Sequence, residues 1–269
     1  MFDTHAQQSL FLSEVAAEIA KHPPTTPSVF SSDELAALPD PIENFLHQSR
    51  WAEKAKPFNA RIHWDDVQFK RKPEAPWMKL DCYQFNSVAS PARFAYMRAK
   101  VLGVVPFEGL DETHDGHGSM HMALASFVVG DQRGPEMDAS ALVTFLAEAL
   151  LVPSVAVQPY IRWEPVDDRS ARATLTFNEQ SVSGVFHFDE RGLCSRFVTE
   201  DRYLSEGKSK FSKHTWSAEC SQYIEMGGVL VPSHLRAVWH LPAGELEYFH
   251  GNIVDIEYDL EAFGSVDHR

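Results

Sequence analysis

The densest set of reactive side chains in the sequence is Asp111-Glu112-Thr113-His114-Asp115-Gly116-His117-Gly118-Ser119-Met120-His121, with three imidazoles and three carboxylates in eleven residues. Metal binding is the chemistry such a set offers. If Gly116 to His121 enters a strand, His117, Ser119 and His121 share one face, and near neighbours on a strand face can converge on zinc. A third ligand must then come from elsewhere, and no H-E-x-x-H helix accompanies the run. Asp-Gly and His-Gly pairs are ordinary turn chemistry, so His114, His117 and His121 read first as exposed histidines of a polar turn, with no metal. Ser119 lacks the glycines two residues before and after that a nucleophile elbow requires, since His117 and His121 stand there. Cys82 has no basic neighbour in sequence to lower its thiol pKa.

Glu148 is the more informative carboxylate. It falls near the apolar side of a helix, where a buried charge needs a partner. Arg98, on a strand with Phe94 and Tyr96, and Arg202, in Glu200-Asp201-Arg202-Tyr203, are the expected partners. A structural ion pair fixing helix to sheet is favoured over a catalytic acid. Phe94 and Tyr96 alternate with Arg93, Ala95 and Met97, so their face is expected to line an apolar chamber, with Arg98 meeting an acidic head group. The expected ligand site is therefore Arg98, Glu148, Tyr96, Phe94 and Arg202, holding an apolar or lipid-like small molecule. Two alternatives stand beside this. An enzyme would bring Glu148, Arg98 and a histidine together in a pocket, and an interaction module would expose a large apolar patch.

The elements that position these residues follow from periodicity. Leu12, Val15, Ala16 and Ile19 form a helical stripe closed by Pro23 and Pro24. Asp40 as cap, Pro41 at the first helical position and Glu43 as the far end of a capping box open a second helix running to about Arg50. From residue 60 the period drops toward two, in 92 to 97, 120 to 124, 171 to 177 and 182 to 188, with Asn178-Glu179-Gln180 as a hairpin turn. Further strands are expected at 193 to 200, 212 to 219, 229 to 240 and 245 to 258. Lys70-Arg71-Lys72 reads as a solvated hairpin end. One helix interrupts the strands over 138 to 152, capped by Asp138 or Ser140 and closed by Pro153. Short connections force antiparallel neighbours. The expected fold is α+β: a strongly curved, half-barrel-like antiparallel sheet of about nine to eleven strands. Residues 1–55 form an N-terminal helical segment of the same domain, and 56–269 form the sheet domain.

Composition narrows the functional classes. The 269 residues are 44% hydrophobic and 23% charged, ordinary for a packed domain. Acidic residues outnumber basic ones 38 to 24, for a formal charge of −14, which repels nucleic-acid backbones and anionic lipid. Cys82, Cys194 and Cys220 are too few and too scattered for a disulfide framework or a cysteine zinc site. No signal-peptide pattern and no run of about 18 apolar residues is present, which points to a cytoplasmic protein with no transmembrane segment. Phosphate-binding loops, dinucleotide fingerprints and kinase motifs are absent, so no cofactor is expected.

Several segments in order carry a resemblance: Leu38-Pro39-Asp40-Pro41, Pro91-Ala92-Arg93-Phe94, Asp115-Gly116-His117-Gly118-Ser119-Met120, Leu146-Ala147-Glu148, Gly184-Val185-Phe186-His187-Phe188-Asp189 and Gly227-Gly228-Val229-Leu230-Val231-Pro232. Together they resemble an uncharacterised bacterial family of unknown function. That resemblance implies no activity. The strand run closing on a Trp-x-Leu strand is also similar in fold to the half-barrel of periplasmic lipoprotein carriers.

Overall fold

The chain is described by a computed structural model covering residues 6–23, 26–70, 72–125, 127–207, 210–264 and 266. Three helices come first: α1 (Ala6–Lys21), α2 (Ser32–Ala36) and α3 (Asp40–Gln48). Six strands follow, β1 (Asn59–Phe69), β2 (Met78–Ser87), β3 (Ala92–Val101), β4 (Val105–His114), β5 (His117–Leu124) and β6 (Phe127–Gln132). Helix α4 (Pro135–Ala147) and two 3-10 turns, Ala149–Leu151 and Pro153–Val157, interrupt them. The chain resumes with β7 (Ile161–Asp167), β8 (Ser170–Phe177), β9 (Gln180–Phe188), β10 (Cys194–Thr199), β11 (Tyr203–Gly207), β12 (Lys210–Lys213), β13 (Thr215–Met226), β14 (Val229–Leu241) and β15 (Gly244–Tyr258). No helix among the described residues is long and apolar enough to cross a membrane.

Thirteen strands make one sheet in the order β6-β5-β4-β3-β2-β1-β15-β14-β13-β10-β9-β8-β7, and β11 and β12 form a separate hairpin. Every pairing among these strands is antiparallel; those between consecutive strands follow from their short connections, and β1–β15 and β10–β13 join strands distant in the chain. The sheet thus has more strands than the nine to eleven expected. β1 hides its alternation: its register shifts between His63 and Trp64 and again between Asp65 and Gln68, where Asp66 adopts φ 49°. Such bulges break a period of two.

β6 and β7 are the two edges of the sheet, and the segment joining them is α4. The helix packs on β4 and β5 in one arm and on β8 and β9 in the other. The arms also meet at their turns, where Asn178 Nδ2 donates to Asp115 O at 2.8 Å and Gln180 Nε2 to Gly116 O at 2.9 Å. Gly118 is what lets α4 come so close: a Cβ there would stand 2.6 Å from Ala141 Cβ and 2.7 Å from Met137 O. Only glycine permits that backbone approach.

Three helix expectations need correction. α4 begins at Pro135 behind Gly134, not at a cap of Asp138 or Ser140, and it ends at Ala147 instead of continuing to 152. The Asp138 carboxylate instead accepts from Gly118 N at 2.7 Å, tying helix to sheet. In α3, Asp40 does not cap and no capping box forms, because the Pro39 carbonyl already takes the Ile42 and Glu43 N–H groups. The capping box lies one helix earlier, at Ser31 and Glu34. In α1, the buried stripe is Phe11, Val15, Glu18 and Ile19, rotated away from Ala16. Pro24, expected to close that helix, and Arg71 of the basic triplet lie outside the described residues.

Two apolar clusters result. The larger lies between one sheet face, α3 and α4, and includes Phe45, Leu142, Phe145, Leu146, Phe186 and Phe197. The smaller joins α1 to the opposite face of β2, β3 and β4 through Phe11, Val15, Phe85, Phe94, Tyr96 and Leu110. Each fully buried side chain of this size contributes about 1.5–3 kcal/mol by leaving water.

Candidate functional site

Strand alternation assigns the residues of β3 to two different environments. Arg93, Ala95 and Met97 face α4, where a cavity of about 240 Å³ opens between helix and sheet. Trp64 and Phe69 of β1, Cys82 and Gln84 of β2, Asp111 of β4, Met120 of β5, Trp216 of β13, Ala237 of β14 and Tyr248 and Phe249 of β15 complete the sheet wall. Met137, Ser140, Thr144, Ala147 and Glu148 come from the helix side, and Arg202, Tyr203 and Phe211 from the β11–β12 hairpin and its approach. The volume lies just below the roughly 300–1,000 Å³ typical of drug-sized ligand pockets, and suits a slender molecule.

One end of the cavity is a closed polar network. Glu148 Oε2 accepts from Arg93 Nε at 2.8 Å, from Gln84 Nε2 at 2.6 Å and from Asn86 Nδ2 at 3.3 Å. Arg93 Nη1 donates to Asp111 Oδ2 at 2.9 Å. Gln84 Oε1 in turn accepts from Trp64 Nε1 at 3.1 Å. Glu148 sits at the C-terminal cap of α4, where the helix dipole opposes a carboxylate. The guanidinium and two amide groups offset that cost. Burial works against the charge on Arg93, but Glu148 and Asp111 outweigh it and its pKa is raised.

The expected residues divide between the two faces. Glu148 and Arg202 line the cavity; Phe94, Tyr96 and Arg98 do not. Phe94 and Tyr96 are on the opposite face, buried under α1. Tyr96 donates to Glu108 Oε1 at 2.6 Å, and burial together with that bond raises its pKa. Arg98 Nε reaches Asp81 Oδ2 at 3.2 Å, and its guanidinium lies over the Tyr83 ring. Glu148 therefore pairs with Arg93, and not with Arg98 or Arg202 as expected. The reason is register: Arg93 and Arg98 are an odd number of residues apart, so they point to opposite faces of the sheet. The missed residues, Arg93, Asp111, Gln84 and Asn86, carried one available signal. Of Arg93, Ala95 and Met97, Ala95 is the one small side chain, and it leaves space that an aromatic ring such as Phe94 or Tyr96 would fill.

The other reactive groups find separate partners. The His114 ring stacks on Phe94 at 5.4 Å, His117 is exposed beside Asp138, and His121 lies 2.8 Å from Arg133. Among the described residues no group of three His, Cys, Asp or Glu side chains could hold a metal ion. Ser119 Oγ donates to Glu112 Oε1 at 2.7 Å. Cys82 lines the cavity, but burial pushes its thiol up to about 12, the opposite of what a nucleophile needs. Among the described residues no histidine lines the cavity and Arg98 is not in its wall, so the expected grouping of Glu148, Arg98 and a histidine is not assembled there.

A family model described as "Family of unknown function (DUF6544)" matches residues 28–251. No curated protein matches the chain. Among solved structures, the crystal structure of LolA superfamily protein NE2245 from Nitrosomonas europaea aligns with a TM-score of 0.42 at 11% identity, over 87% of this chain and 96% of that one.

Proposed function

The chain belongs to the DUF6544 family of unknown function, and from that starting point we propose that it binds an apolar, lipid-like small molecule in the cavity between α4 and the sheet. In this reading the sheet is strongly curved, half-barrel-like, and holds the ligand against its concave face. One observation carries it: apolar side chains of β1, β3, β13 and β15 leave a space unfilled opposite the small residues Ser140, Thr144 and Ala147 of α4. Protein interiors normally close-pack, so an unfilled apolar space beside a fully paired polar end resembles a ligand site. The contact of α4 with both arms of the sheet and the bonds from Asn178 and Gln180 to the β4–β5 turn support the curvature.

The test is a saturable enhancement of an apolar dye's fluorescence, reversed by long-chain lipids, together with native mass spectrometry of the purified protein. Displacement by a lipid and a copurifying apolar mass are expected. A dye signal that no lipid displaces, with no copurified mass, removes the reading.

A second reading, as an interaction module, rests on the edge of the sheet. Leu102 and Val104 at the β3–β4 turn are 90% and 77% exposed, and Phe127 and Val128 of edge strand β6 are 68% and 70% exposed. An exposed apolar edge strand is a template for pairing with a second copy of the chain. Sedimentation velocity checks it: self-association abolished by Val128→Lys supports an interface, and a monomer at all concentrations excludes this one.

A further inference from the structure

Among the described residues three arginines line the cavity, and two are already neutralised. Arg93 holds Glu148 and Asp111 at 2.8 and 2.9 Å. Arg236 holds Glu219 at 2.7 Å and Glu247 at 3.1 Å. Arg202 differs: its Nη1 donates to the Ser140 carbonyl at 2.8 Å and to Thr144 Oγ1, both neutral acceptors on α4. Its guanidinium lies 4.5 Å from the Trp216 ring centre and 5.9 Å from that of Trp239. Its Nε is buried with no hydrogen-bond partner. Among the described residues no carboxylate forms an ion pair with it. The adjacent Asp201 is turned away, accepting from Ser183 N and Oγ through one oxygen and pairing with Lys213 through the other.

A buried N–H without an acceptor costs about 1–3 kcal/mol. A guanidinium held in place by two indoles and a helix, with its Nε unmatched, is preorganised for an anion, and the planar fork favours a carboxylate. Accepting the cavity as a ligand site, we infer that Arg202 is the head-group position within it and that the ligand is a single-chain amphiphile with a carboxylate, of the fatty-acid class. The carboxylate takes the Nε side of Arg202, and the chain lies along the apolar wall of Trp64, Met97 and Phe249. Arg93 takes no part, because its donors are committed to Glu148 and Asp111.

Isothermal titration with dodecanoic acid, dodecanol and dodecyl phosphate tests this on the intact chain. The acid is expected to bind at least about tenfold more tightly than the alcohol, a difference of about 1.4 kcal/mol, and more tightly than the phosphate. Arg202→Met should abolish the preference for acid over alcohol while changing the alcohol's affinity by less than about threefold. Arg202→Lys should retain part of it. Equal binding of acid and alcohol by the unaltered protein overturns the assignment without any variant, and leaves the cavity reading standing. A preference for the phosphate changes the ligand class and overturns the carboxylate assignment. Binding of none of the three overturns the cavity reading as well.

Discussion

Arg93 Nε lies 2.8 Å from Glu148 Oε2, so the C-terminus of α4 is bonded to strand β3 by an ion pair whose side chains are only 10% and 13% exposed. Breaking such a pair from one side leaves an uncompensated charge, and the two sides are not equivalent. Arg93→Met strands both Glu148 and Asp111 and should cost about 3–5 kcal/mol. Glu148→Gln leaves Arg93 with Asp111 and keeps an acceptor for Gln84, and should cost about 1–3 kcal/mol. Urea unfolding with unchanged slope measures both. A larger loss for Glu148→Gln would contradict the assigned network.

Gly118 is expected to tolerate no side chain. Its added Cβ would meet Ala141 Cβ at 2.6 Å and backbone atoms of α4, which cannot rotate away. Gly118→Ala should lower stability by about 1–3 kcal/mol through overpacking. Gly103, at a positive φ with open space around it, offers the comparison: its Ala variant should lose only the cost of the left-handed backbone.

The Cys82 thiol gives a pH signature. Below its ordinary pKa near 9 it is protonated in both states. Between about 9 and about 12 the unfolded chain releases the proton and the folded chain does not, so stability falls as pH rises. Cys82→Val should flatten that alkaline loss. A thiol reagent at pH near 8 should label Cys82 slowly, because burial keeps the thiol protonated, and rapid labelling of native Cys82 would contradict the raised pKa.

The two faces of β3 should respond differently to substitution. Phe94→Ala removes a core ring under α1 and should cost about 3–5 kcal/mol while leaving dye binding intact. Ala95→Leu projects into the cavity and should weaken dye binding more than stability. Dye titration and thermal melting of the same two proteins separate the effects, and the reverse pattern would mean the cavity lies on the α1 side.

Much of this architecture was legible from residue order. A period of two in 171 to 177 and 182 to 188, broken by Asn178-Glu179-Gln180, leads to β8 and β9 because alternation and turn chemistry are local properties. Short connections made the pairings of consecutive strands antiparallel for the same reason. That Glu148 needs a cation also followed locally, from a carboxylate among Phe145, Leu146, Ala149 and Leu150.

Which cation it receives was not a local matter. Alternation separates Arg93, Ala95 and Met97 from Phe94, Tyr96 and Arg98, but it does not say which set meets α4 and which meets α1. The packing of α1 on Phe94 and Tyr96 decided that, and so put Arg93 opposite Glu148 and Arg98 beside Asp81. Arg202 could be named as a binding residue from its surroundings in the chain, yet its place over Trp216 depends on contacts between β13 and the β11 approach. Sequence thus determined that two faces exist and what each can contribute. The long-range contacts of α1 and α4 decided which face was closed under α1 and which kept a cavity beside α4.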